Sequence, residues 1–105
     1  MTQTSKDYGI QSFKDKGTED IYFGRNSRRA RSTLPMNLWR IGRRKLDMLD
    51  EAESLTELGF APGNHLEALK GDRAGQHSIR INDQYRVCFF YESDGFYNVE
   101  ITDYH

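Results

Sequence analysis

The most regular hydrophobic repeat in the chain lies in PMNLWRIGRRKLDMLDEAE. There Leu38, Ile41, Leu46, Leu49 and Ala52 fall on one side of a helix, with Trp39 and Gly42 on its flank. Pro35 suits a first helical turn, so this pattern predicts a long helix from about Pro35 to Glu53. Upstream, GTEDIYFG sets acidic residues at the head of a short apolar run between two glycines, the signature of a one- or two-turn helix. Before it, GIQSF alternates Ile10 and Phe13 with polar neighbours and reads as a short first strand. Downstream, Ser54 and Glu57 have capping-box spacing, which predicts a brief helical turn ahead of the Gly59, Pro62, Gly63 and Asn64 loop.

After Asn64 the period changes from helical to alternating. HSIRIND places Ile79 and Ile81 against Ser78, Arg80 and Asn82, YRVCFFYE is rich in aromatic and β-branched residues, and FYNVEITDYH has strand composition again. Short turns at NDQ and SDG join these segments, which makes them an antiparallel meander. The helices precede the strands, so the expected architecture is α+β: helices on one face of a small antiparallel sheet, with the other face open. No repeat or linker divides the chain, which predicts a single domain from about Gly9 to the end after a flexible extension at residues 1–8.

Composition narrows the class. The chain has 105 residues, 36% of them hydrophobic, with six tyrosines, six phenylalanines and one tryptophan, which is enough aromatic content for a modest core. Cys88 is the single cysteine and allows no internal disulfide; between Val87 and Phe89 it reads as a small core hydrophobe. The opening MTQTSKDYG has no apolar stretch and no window approaches a membrane span, so no membrane partner and a cytoplasmic location are expected.

The net charge of −1 hides a strong separation. Arg25, Arg28, Arg29, Arg31, Arg40, Arg43, Arg44 and Lys45 fall in a stretch with no acidic residue, whereas Asp47, Asp50, Glu51, Glu53 and Glu57 follow with no basic one. The first block is a candidate for phosphate-backbone binding, the alternative being an ordinary solvated helix surface. The second reads as a solvated helix face.

The open sheet face is where chemistry can gather. Arg86 from the middle strand, Asp103, Tyr104 and His105 from the last, and Glu67, Lys70, Asp72 and Arg73 from the loop LEALKGDRAG are the candidates. Cleavage of RNA by its own 2′-hydroxyl needs a base, an acid and cations for the phosphorane, and it needs no metal or cofactor. Arg86, Lys70 and Arg73 supply cations, while Glu67, Asp103, Tyr104 and His105 can divide the proton transfers. The three histidines, His65, His77 and His105, lack close ligand spacing, so no metal site is expected.

These segments also carry a resemblance. SFKDKGTEDIYFG, LWRIGRRKLDMLDEAESLTEL, PGNHLEALKGDRAGQHSIRINDQYRVCF and VEITDYH together resemble the HigB-type toxins of the RelE superfamily, the block GDRxGxxSIRINxQYR being the most specific. The resemblance implies helices against an antiparallel sheet and a ribosome-dependent endoribonuclease that cuts mRNA in the decoding site. It implies a cognate HigA-like helix-turn-helix antitoxin, with operator DNA reached only through that antitoxin. It also implies site roles for Lys70, Arg86, Asp103, Tyr104 and His105. One position departs: some relatives carry a catalytic histidine where this chain has Glu67, so either a tuned Glu67 or His105 serves as base. The alternative is a catalytically weak binding module that acts with its antitoxin in an operator- or RNA-bound complex.

Overall fold

The computed structural model describes residues 7–103. Its helical half starts at side-chain caps. The Asp15 carboxylate accepts from the Thr18 amide at 2.7 Å and opens α1 (Lys16–Phe23), which Gly24 closes in a left-handed conformation. Ser27 Oγ accepts from the Ala30 amide at 3.0 Å and opens α2 (Arg28–Thr33). No apolar stripe marked α2, because it buries only Ala30; its sequence signal is the capping serine.

A 3-10 turn (Met36–Leu38) leads into α3 (Trp39–Glu51), which is shorter than the expected Pro35 to Glu53. Pro35 at ψ 140 and Ala52 at ψ 131 are both extended and bound the helical stretch. α4 (Leu55–Gly59) follows, but the expected capping box does not form. Ser54 caps nothing with its side chain, while the Glu57 carboxylate accepts from the Glu53 amide at 3.1 Å.

The strands β1 (Glu67–Ala68), β2 (His77–Arg80), β3 (Tyr85–Glu92) and β4 (Gly95–Asp103) form one sheet in that order, each antiparallel to its neighbour. The segment expected as a loop before β2 therefore contributes an edge strand and a 3-10 turn (Gly71–Arg73). The expected first strand at GIQSF is instead two isolated parallel bridges, Ile10 to Phe96 and Phe13 to Val99, laid along the outer edge of β4. Regular pairing fails there because β4 is bulged. Phe96 and Val99 are both buried although three positions apart, which a period of two forbids, and Asn98 at φ 51 absorbs the extra residue.

Ile79, Val87, Phe89, Phe96, Val99 and Ile101 of the sheet meet Ile21, Ala30, Leu34, Leu46 and Leu49 of the helices in one core. Each fully buried large side chain contributes about 1.5–3 kcal/mol against about 1 kcal/mol for a typical cap, so the apolar stripes determine the layering and the caps trim its ends. Among the described residues no helix is long and apolar enough to cross a membrane.

Polar ties fix how the helical layer sits. Thr18 Oγ1 accepts from the Ile101 amide at 3.0 Å and joins α1 to β4. Asp20, only 5% exposed, accepts from Ser27 Oγ at 2.6 Å and from Arg25 at 3.2 Å, joining the end of α1 to the cap of α2. The Ser27 hydrogen bond foremost, then Arg25, holds the Asp20 carboxyl below its ordinary value against the opposing effect of burial. Because the folded value is the lower one, this stabilisation is complete above the ordinary aspartate range and is lost as pH falls through the folded value. Asp20→Asn is expected to lower stability at neutral pH, with the gap between parent and variant closing in acid; urea titrations across that range measure it.

Candidate active site

The sheet face turned away from the helices is organised by Arg86. Its Nε donates to Ser78 Oγ at 2.7 Å and its Nη2 to the His65 carbonyl at 2.6 Å, with the Glu67 carboxylate 3.8 Å from Nη2. Only 13% of the Arg86 side chain is exposed. Ser78 comes from β2, while His65, at φ 45, ends the 3-10 turn Pro62–Asn64. Three segments therefore aim one guanidinium, and Nη1 makes no hydrogen bond or ion pair among the described residues. Glu67, half exposed in β1, sits opposite Ser78 in the register, which places it on the same face.

Lys70 is exposed at the start of the 3-10 turn Gly71–Arg73, and its carbonyl accepts from the Arg73 amide. Asp72 is exposed in that turn. Arg73, expected to contact RNA, is instead used internally. Its Nη1 donates to Gln76 Oε1 and to Glu100 Oε1, both at 3.1 Å, so it clamps the Lys70 loop to β4.

Asp103 was expected beside Arg86, but the register separates them. Thr102 is the partner of Arg86, whereas Asp103 is opposite Tyr85, whose ring packs against the core, and it accepts from Gln84 Nε2 at 2.9 Å. Strand alternation thus turns the Asp103 carboxylate to the other face. Tyr104 and His105 lie outside the described residues.

The basic block divides in the same way. Arg28 and Arg29 on α2 and Arg40, Arg43 and Arg44 on α3 are exposed and make no ion pair among the described residues. Arg31 donates to Asn26, and Arg25 is shared among Asp20, Glu19 and the face of the Phe23 ring. Lys45 does not belong to the cationic surface at all. It is 8% exposed and its Nζ donates to Asn64 Oδ1 at 2.6 Å, with burial pushing its pKa down. The exposed arginines lie on the helical layer, across the sheet from Arg86. Sequence gave no sign of Ser78, the His65 carbonyl or Glu100 as supporting groups, because their roles follow from strand register and turn geometry.

Cys88 is fully buried, but on the Arg86 face, between Ser78 and Glu100 in the register rather than among the core side chains facing the helices. Burial pushes its thiol up to about 11. Two measurements check this region. Iodoacetamide at mildly alkaline pH is expected to leave Cys88 unmodified in the folded chain and to label it in denaturant. Glu100→Gln is expected to speed amide exchange in residues 70–76 with little change in melting temperature.

Comparison with known proteins agrees with this layout. A family model described as the RelE-like toxin of type II toxin-antitoxin system HigB matches residues 11–105. Toxin HigB-1 of Vibrio cholerae is 40% identical over 77 residues, covering 73% of this chain and 78% of that protein. An uncharacterised Haemophilus influenzae protein is 41% identical over 63 residues, covering 60% of this chain and 62% of its own length, so the match spans just under two thirds of that relative. The solved YoeB–YefM complex from Staphylococcus aureus contains a chain with the same fold, at TM-score 0.53 and 16% identity, covering 97% of this chain and 99% of that one.

Proposed function

This chain belongs to the RelE-like HigB toxins of type II toxin-antitoxin systems, and from that premise we propose that it is a metal-independent endoribonuclease that cuts mRNA on the translating ribosome. A cognate HigA-like helix-turn-helix antitoxin restrains it and alone contacts operator DNA.

The observation that carries this reading is the Arg86 cradle. A guanidinium held by Ser78 and His65, with Nη1 unbonded among the described residues, suits a phosphate oxygen, and a cation placed before the reaction stabilises a phosphorane without reorganising. Lys70, exposed at the head of the clamped loop, adds a second cation. On this reading Glu67, 3.8 Å from Arg86, takes the 2′-hydroxyl proton, and His105 is the acid for the leaving 5′-oxygen. The ribosome supplies the in-line geometry of the mRNA, which reduces what the side chains must do. Arg28, Arg29, Arg40, Arg43 and Arg44 follow ribosomal RNA on the other side of the sheet.

One observation favours the alternative of a binding module without catalysis: Arg86 spends two of its three nitrogens on structural acceptors, as a purely architectural arginine would.

Mapping mRNA 5′ ends on translating ribosomes decides between the readings. Arg86→Ala and Lys70→Ala are each expected to lose on the order of 100-fold in cleavage rate while remaining folded. Glu67→Gln is expected to lose activity and Glu67→His to keep or raise it. Cleavage at the parent rate by a folded Arg86→Ala chain rejects the catalytic assignment.

A further inference from the structure

Between the C-terminal half of α3 and α4 lies a groove of about 400 Å³ that the proposed chemistry leaves unused. Its walls are apolar: Met48 and Ala52 from α3, Leu58 from α4, and Ala61 from the segment that follows. Phe60 stands at its edge with 76% of its surface exposed, more than Phe23 or Met36 at 54% each. A ring of that size left in water forgoes about 1.5–3 kcal/mol of burial, which a partner can recover.

The groove is preformed. Asn64, 1% exposed, lines it and is fixed from both sides, accepting from Lys45 Nζ at 2.6 Å and donating from Nδ2 to the Leu58 carbonyl at 3.0 Å. These bonds hold α4 and the turn after it to α3, so an occupant does not have to order them.

The rim determines what can enter. Glu51 and Glu57 line the groove, and Asp47 and Glu53 are exposed in the same run, which contains no basic residue. Lys45, the nearest cation along α3, is buried against Asn64 and makes no ion pair with a rim carboxylate among the described residues. A nucleic-acid strand is therefore repelled here, while the arginines of α2 and the front of α3 repel a cation and steer it toward this end of the molecule.

Apolar walls with a carboxylate rim complement a peptide that carries hydrophobic anchors flanked by lysine or arginine. We propose that this groove docks an apolar, basic segment of the antitoxin, an inference that rests on reading the chain as a toxin with such a partner.

Calorimetric titration of the full chain with its cognate antitoxin, at low and high salt, tests it. Ala61→Trp, which fills the groove, and Phe60→Ser, which removes an exposed ring without touching the core, are each expected to weaken binding by about tenfold or more. Glu51→Lys combined with Glu57→Gln is expected to weaken binding and flatten its salt dependence. Parent-like affinity in both Ala61→Trp and Phe60→Ser overturns the docking site while leaving the toxin reading intact, since the complex still forms. Sensitivity to the charge changes alone overturns it as well, because the contact is then electrostatic and not seated in the groove. An antitoxin that does not bind the parent chain overturns both readings.

Discussion

Arg86 is a permanent cation with 13% of its side chain exposed, and much of the sheet's outer face follows from the need to satisfy it. Its acceptors come from outside its own strand. Ser78 reaches it because β2 pairs with β3 in a register that sets Arg80 opposite Arg86, and His65 reaches it because the preceding turn ends in a left-handed residue. Removing either acceptor would leave part of a desolvated guanidinium uncompensated, which costs more than an ordinary surface contact. The same requirement draws the chain from Asn64 to Ala68 against the sheet, and with it Glu67. The guanidinium proposed above as the site cation is thus also a structural pin, and only Nη1 has no acceptor among the described residues.

The sheet separates two chemistries. On one side Val87, Phe89, Phe96 and Ile101 face the helices and make the core. On the other, Ser78 and Cys88 are fully buried beneath polar neighbours, closed over by Arg73 and Glu100. Arg80 and Arg86 lie directly across from each other, a like-charge pair made tolerable because Arg80 turns to Asp83 and Arg86 to Ser78 and His65. An RNA contacting both Arg86 and the arginines of α2 and α3 has to pass around an edge of this sheet, which suits a large, curved partner better than a short free strand.

Charge blocks that look uniform in sequence take several physical forms in three dimensions. In the acidic run, Asp50 is not simply solvated: it accepts from Tyr22 at 2.9 Å and from the Ile10 amide at 3.2 Å, joining α1 and the N-terminal segment to α3. Burial first, and then Asp50, pushes the Tyr22 hydroxyl up to about 12, so it stays a donor at any ordinary pH. In the basic run, Lys45 is interior, Arg25 is paired, and five arginines remain for a partner.

Periodicity and composition alone were enough for the α+β class, for α1 and α3, for the three long strands and for the separation of basic from acidic surface. These depend on which side chains avoid water, a property each residue carries with it. The residues that carry the family resemblance, from the KGD lysine to the QYR arginine, were likewise legible from the chain alone. What sequence could not supply was every relation that depends on where two distant segments meet. The stripe containing Lys45 does not say that the turn at Asn64 will offer it an acceptor, and the strand containing Asp103 does not say that its register turns the carboxylate away from Arg86. Likewise, Arg73 looks like any surface arginine until Glu100, twenty-seven positions away, is brought within 3.1 Å of it. Burial preference is a property of single residues, whereas register, bulge and ion pairing are properties of pairs, and only the folded chain brings those pairs together.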